Sequence, residues 1–161
     1  MRLLLVTILT ILFVTLQISL SPVVSICSIL PNFILIFLFF IAFSVGQTCG
    51  MWVGFFSGFL CDMFDPPHFG LNLTLFLLFG FIVGSIRAKF YKDNLFVSLI
   101  IFVISIFIYE IFYTLLLWQF SPGVYFLNIL RYSIPRVLYS SVIGIFLFPL
   151  LKRIPFLTVK N

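Results

Sequence analysis

From Gly46 to Asp62 the chain reads GQTCGMWVGFFSGFLCD, with glycine at positions 46, 50, 54 and 58 and an aspartate at the next four-residue step. Residues four apart share one face of a helix. A helix here therefore carries a strip of bare backbone about three turns long, ending in a carboxylate. Met51, Trp52, Val53, Phe55, Phe56, Phe59 and Leu60 fill the other positions. Glycine costs about 1 kcal/mol relative to alanine inside a soluble helix, so a row of them asks for a compensating contact. Close approach of a second helix supplies one. In a bilayer, where the solvent is itself apolar, small residues at four-residue spacing are a main device for bringing helices together. The pattern predicts that this helix is the packing centre of a small membrane bundle, with Gly50, Gly54, Gly58 and Asp62 as its contact row.

Composition supports the bilayer. The chain is 63% hydrophobic and only 8% charged, with 24 phenylalanines among 161 residues and a mean hydropathy of +1.33. Soluble domains carry about 25% charged residues. The expectation is a single all-α integral membrane domain over residues 1–161, with about six transmembrane helices and both termini cytoplasmic. The basic residues sit at helix ends, so they read as topology signals and not as a nucleic-acid surface. Cys27, Cys49 and Cys61 have no metal-ligand spacing and read as small buried apolar residues.

The predicted spans are 3–20, 32–45, 49–64, 71–86, 95–118 and 136–151. The first follows Arg2 in the manner of a signal peptide. It is long and lacks a small-x-small cleavage site, so it is expected to remain, with Ser21-Pro22 ending the helix. The second, after Pro31-Asn32, is short for a bilayer and is expected to begin a turn earlier, near Ile29. Asp65-Pro66-Pro67 must end the third, because proline lacks a donor and clashes with the preceding turn. His68, Phe69 and Gly70 complete that turn. The fourth carries Gly80 and Gly84, a second four-residue pair suited to packing against the third. Residues 124–134, with Tyr125, Arg131 and Tyr132, are too short and mixed to cross and suit the interface.

With six spans, one face collects Arg2, Arg87, Lys89, Lys92, Lys152, Arg153 and Lys160, seven in all, and the other only Arg131 and Arg136. The positive-inside rule makes the first face cytoplasmic. Asp62, Asp65 and His68 then lie outside.

Few residues carry chemistry. Asp62 stands at a helix C-terminus, where the macrodipole disfavours an anion by a few tenths to about 1 kcal/mol. It reads either as a carboxylate reaching water or as the partner of Arg136 or Arg131, with Arg136 favoured because both lie at span ends. Glu110 sits two thirds along the fifth span. Ionisable groups inside a membrane segment are functional candidates, but a lone acid makes no proton relay, and a hydrogen-bonded, protonated glutamic acid facing the bundle is the plainer reading. Asp62-x-x-Asp65 lacks the second aspartate pair of metal-dependent phosphotransferases. His68 is the sole histidine, so there is no His-based triad or multi-His metal site. Neither an enzyme nor a bound cofactor is expected. A scaffold is favoured, and the alternative is a small-solute-binding membrane subunit of a vitamin-type transporter.

Three features together resemble the rod shape-determining protein MreD family across roughly residues 28–153. They are Pro31-Asn32 before an apolar span; Gly54-x3-Gly58-x3-Asp62 followed after a turn by Gly70-Leu71; and Ser140-Ser141 in a last span running through Gly144 and Pro149 to Lys152-Arg153. The Pro66-Pro67-His68 turn differs from the Ser/Gly-rich turn common in that family. The resemblance implies a non-catalytic member of the bacterial cell-elongation machinery in the cytoplasmic membrane. It implies that the chain binds MreC, and through it MreB, RodA and the partner transpeptidase, in support of peptidoglycan synthesis.

Overall fold

The structure is a computed structural model and describes residues 2–24, 31–90, 95–117 and 133–152. Cys27, Lys92, Asp93, residues 124–132 of the expected interfacial segment, Arg153 and Lys160 fall outside the described residues. Among those described there are six α-helices and no strand: α1 (Arg2–Val24), α2 (Phe33–Ser44), α3 (Gln47–Phe64), α4 (Leu71–Phe90), α5 (Leu95–Leu117) and α6 (Ile134–Lys152). A short 3-10 turn, Pro66–His68, links α3 to α4. This is a helical membrane protein by composition and fold, and Phe96–Leu117 by itself is long and apolar enough to cross a bilayer.

The helix enclosed on all sides is α2, not the glycine helix. Nine consecutive residues of α2, Ile34 to Ala42, are buried. α1, α3, α4 and α6 all pack on it. A helix apolar all round belongs in a core, and the sequence FILIFLFFIAFS has no polar face to offer until its last residue. Twelve residues reach only about 18 Å, short of the ~30 Å hydrocarbon thickness. α2 is therefore a buried strut inside the bundle, and its helix begins at Phe33, not near Ile29, since Pro31 and Asn32 are non-helical.

α3 lies at the side of the bundle. Trp52, Phe55 and Phe56 are exposed on one face, while Gly50, Val53, Gly54, Ser57, Gly58 and Asp62 are buried on the other. α2 and α3 are joined by a turn at Val45-Gly46, where Gly46 takes φ +130°, a region that residues with a Cβ rarely adopt. The chain departs from the expected boundaries in two further places. α1 continues through Ser21-Pro22 to Val24, because a proline in the last turn removes only one hydrogen bond near an end that frays anyway. α4 runs one turn further, into Arg87–Phe90.

The register of the α5–α6 pair can be read from its contacts. Gly144 lies against the Phe102 ring, Arg136 against Glu110, and Ser133 against Thr114. As α5 positions rise, α6 positions fall by nearly the same amount, which is the signature of antiparallel packing.

Candidate polar collar and glycine seam

α3 and α4 form the most intimate helix pair. Their glycines each meet backbone of the other helix. A Cβ at Gly50 would stand 2.7 Å from the Ala42 methyl of α2 and 2.9 Å from the Gly80 carbonyl oxygen of α4. One at Gly54 would reach the Phe76 carbonyl, and one at Gly58 would lie 2.7 Å from the Leu73 nitrogen. Seen from α4, Gly80 faces the Gly50 carbonyl and Gly84 faces the Gln47 backbone. Gly70 is of another kind: a Cβ there would touch nothing within 4 Å, but φ is +95°. It turns the chain into α4.

Asp62, the last member of the row, is fully buried. Its carboxylate sits on the free N-terminus of α4. Oδ2 accepts the N–H of Gly70 at 2.9 Å and of Leu73 at 3.0 Å, and Oδ1 accepts the N–H of Asn72 at 3.1 Å. The first N–H groups of any helix lack intrahelical partners, and the dipole there favours an anion. Asp62 thus caps the neighbouring helix, whose positive end offsets the unfavourable C-terminal dipole of its own. The expected Asp62–Arg136 pair does not form. Arg136 Nη1 lies 3.7 Å from Glu110 Oε2 instead, because the α5–α6 register brings those two residues level. Asp65 pairs with His68 on the exposed turn, Oδ2 to Nδ1 at 3.1 Å.

The start of α2 is satisfied in the same manner, by Asn32 and Ser140, both marked out in the sequence, and by Gln17, which was not. Asn32 Oδ1 accepts the Leu35 N–H at 3.1 Å, as an N-cap. The Asn32 N–H donates to Ser140 Oγ of α6 at 3.0 Å. Gln17 of α1 receives the Phe33 N–H at 2.8 Å and donates to the Pro31 carbonyl at 3.0 Å. Thr114 and Ser133 share a buried hydrogen bond of 2.8 Å. A buried helix end within lipid has no water to turn to, so side chains must supply every partner. Gln17 stands alone as a polar amide in the apolar run 3–20, and that isolation was the signal that could have marked it.

Glu110 is 2% exposed, its Oε1 has no hydrogen-bond partner among the described residues, and Arg136 is 29% exposed. Losing one partner of a buried pair costs about 3–5 kcal/mol when the other charge is left stranded. The pair is asymmetric, so its halves should not be equivalent. Arg136→Leu strands the enclosed Glu110 and is expected to destabilise more than Glu110→Gln, which leaves an arginine able to reach solvent. Thermal unfolding of the detergent-solubilised variants checks this. Equal losses would mean the ion pair does not govern the seam.

No group of three or more His, Cys, Asp or Glu side chains suited to a metal occurs among the described residues. The arrangement closes helix ends and draws backbones together. A family model described as rod shape-determining protein MreD matches residues 1–154 of the chain. No curated protein and no solved structure matches.

Proposed function

The chain belongs to the rod shape-determining protein MreD family, and from that premise we propose that it is a non-catalytic scaffold of the cell-elongation complex, docking the membrane helix of MreC and through it MreB, RodA and the partner transpeptidase. Membership itself carries a role in rod shape determination. In this reading the chain is a single multi-pass domain of the bacterial cytoplasmic membrane. Its termini face the cytoplasm, following the seven-to-two division of basic residues.

The observation that carries the docking reading is the exposed side of α3. Trp52 is 56% exposed and Phe56 42%. Their rings stack at 5.9 Å, Phe55 stacks on Phe59 at 6.4 Å, and Phe59 meets Phe69 edge-on at 6.2 Å. The strip is held rigid from behind, because the opposite side of α3 is locked to α4 by backbone contact. A rigid aromatic surface presents large contact area with little side-chain entropy to lose, which is the character of interface anchors. Replacing Trp52, Phe55 and Phe56 together with alanine should leave the protein abundant in the membrane but reduce co-purification of MreC about tenfold or more, since each well-buried aromatic anchor is worth ~1 kcal/mol or more. The matching change on α6, Leu138 and Phe146 to alanine, should not. Undiminished MreC recovery from the α3 variant would end the assignment of this face. The transporter-subunit reading requires a polar pocket, whereas three grooves among the described residues are almost wholly apolar. It would be favoured by a bound solute and an ATPase pair encoded nearby, instead of mreB and mreC.

A further inference from the structure

The charged pair between α5 and α6 is built unequally. Glu110 is enclosed, and its Oε1 has no hydrogen-bond partner among the described residues. Its Oε2 lies 3.7 Å from Arg136 Nη1, well beyond the ~2.7–2.9 Å of a charge-assisted hydrogen bond. An ionised carboxylate has about four lone-pair sites to fill, and a buried ion pair is well held only when further hydrogen bonds fill them. Arg136, by contrast, is partly exposed and stands in the first turn of α6. Its long side chain can carry the charge to water or headgroups without stranding it.

One turn along the same seam is a contact of a different kind, the buried hydrogen bond between Thr114 and Ser133. Thr114 lies four residues from Glu110, and Ser133 three from Arg136, so each helix presents both of its members on one face. Hydroxyls carry no charge to lose, and this contact holds whatever happens to the ion pair beside it. The surroundings leave Glu110 with one cation. Tyr109 and Tyr113 flank it on α5, and from α3 Cys61, Asp62 and Asp65 act on those tyrosines and add no positive charge. α2 has no ionisable residue, and Arg2 is the first residue of α1. Arg87 and Lys89 lie in the last turn of α4, whereas Tyr109 packs on Phe76 and Phe79 in its first half.

We propose that Glu110 and Arg136 form a proton-operated latch between α5 and α6. With Glu110 ionised, its charge holds Arg136 in the seam. When a carboxylate oxygen of Glu110 binds a proton from the aqueous phase on the Arg136 side, one O–H bond forms and the attraction is lost. The neutral acid stays in place, since it costs far less to bury than the ion. The guanidinium then turns outward, while Thr114 and Ser133 keep the two helices joined. The latch belongs to the chain alone, whichever partner docks on α3.

The test uses the full-length protein in detergent. Phenylglyoxal, which modifies guanidinium groups, is applied at one fixed pH to the wild type and to Glu110→Gln, the uncharged mimic of the protonated state, and the modified arginines are mapped by mass spectrometry. Arg136 should react about fivefold faster in the variant, whereas Arg87, near the end of α4, should react equally in both. In the wild type alone, the reactivity of Arg136 relative to Arg87 should rise as the pH falls, a ratio that cancels the pH dependence of the reagent and needs no variant. Infrared difference spectra between about pH 8 and about pH 5 should contain a protonated-carboxyl band that Glu110→Gln lacks. Over the same range the loss of thermal stability caused by Arg136→Leu should shrink by about half or more, because a neutral Glu110 is no longer a stranded charge. An arginine that only fills space would cost the same at both ends of the range. Equal reactivity of Arg136 in the two proteins, a wild-type ratio that does not move with pH, an infrared difference that Glu110→Gln leaves untouched, or a pH-independent Arg136→Leu loss would each overturn the latch.

Discussion

Gly58→Leu is expected to abolish accumulation of the protein in the membrane, and Gly54→Leu to do nearly the same. The reason is what lies opposite. At Gly58 an added Cβ would intrude on the Leu73 backbone and stand 2.8 Å from the Asn72 carbonyl oxygen; at Gly54 it would intrude on the Phe76 carbonyl group. Side chains can change rotamer to relieve overpacking, at about 1–3 kcal/mol. Backbone cannot, so the whole α3–α4 seam would have to open, and with it the hydrogen bonds of Asp62 one turn away. Two other glycines serve as internal controls. Gly144→Ala presses on the Phe102 ring, a buried side chain with some freedom to move, and should cost less. Gly70→Ala meets open space and is penalised only by its φ of +95°, about 1–2 kcal/mol. The expected order of loss is Gly58→Ala, then Gly144→Ala, then Gly70→Ala, read as thermal unfolding in detergent and as abundance in the membrane fraction. A Gly58→Leu protein that accumulates and unfolds like the wild type would show that backbone contact along the seam contributes nothing.

How far the sequence could be read follows from what each feature depends on. The bare face of α3 was legible because a four-residue glycine spacing is a local property of one helix. The turn at Asp65-Pro66-Pro67 was legible for the same reason. The centrality of α2 was harder. In water, a helix apolar on all sides must be buried, but in a bilayer a lipid-facing helix has the same composition, and only the short length of α2 hinted at its place. The partner of Asp62 was not legible at all. Its own helix argues against an anion at that position, and the compensating N–H groups belong to α4, brought there by the 3-10 turn and Gly70. Choosing Arg136 as partner used position along the chain, whereas the true pair, Glu110 and Arg136, is set by the register of α5 against α6. The Asn32–Ser140 contact spans 108 residues and has no local signature.

Asp62→Ala should be the most damaging single change that removes atoms without adding any. The N–H groups of Gly70, Asn72 and Leu73 lose their acceptor at a part-buried helix start, where Asp62 itself is fully enclosed. A hydrogen bond to a charged group is worth about 1.5–3 kcal/mol net, and the loss of an anion from a helix N-terminus adds up to ~2 kcal/mol. The sum is on the order of 5 kcal/mol, comparable to the whole stability of many domains. Asp62→Asn separates the two contributions. An amide keeps one oxygen, which can still accept from one or two of the N–H groups, but it loses the charge and turns an NH2 group toward a donor. Its effect should be intermediate, with the protein present at reduced abundance and unfolding at lower temperature. Asp62→Glu keeps the charge but adds a methylene to a filled space beside Gly58, so it should not restore wild-type behaviour. Because Asp62 makes no contact with Arg136, exchanging the two residues as Asp62→Arg with Arg136→Asp should be at least as damaging as either change alone. If that exchange instead recovered the protein, or if Asp62→Asn matched the wild type in thermal unfolding, capping of α4 by its neighbour would not be what holds this end of the bundle closed.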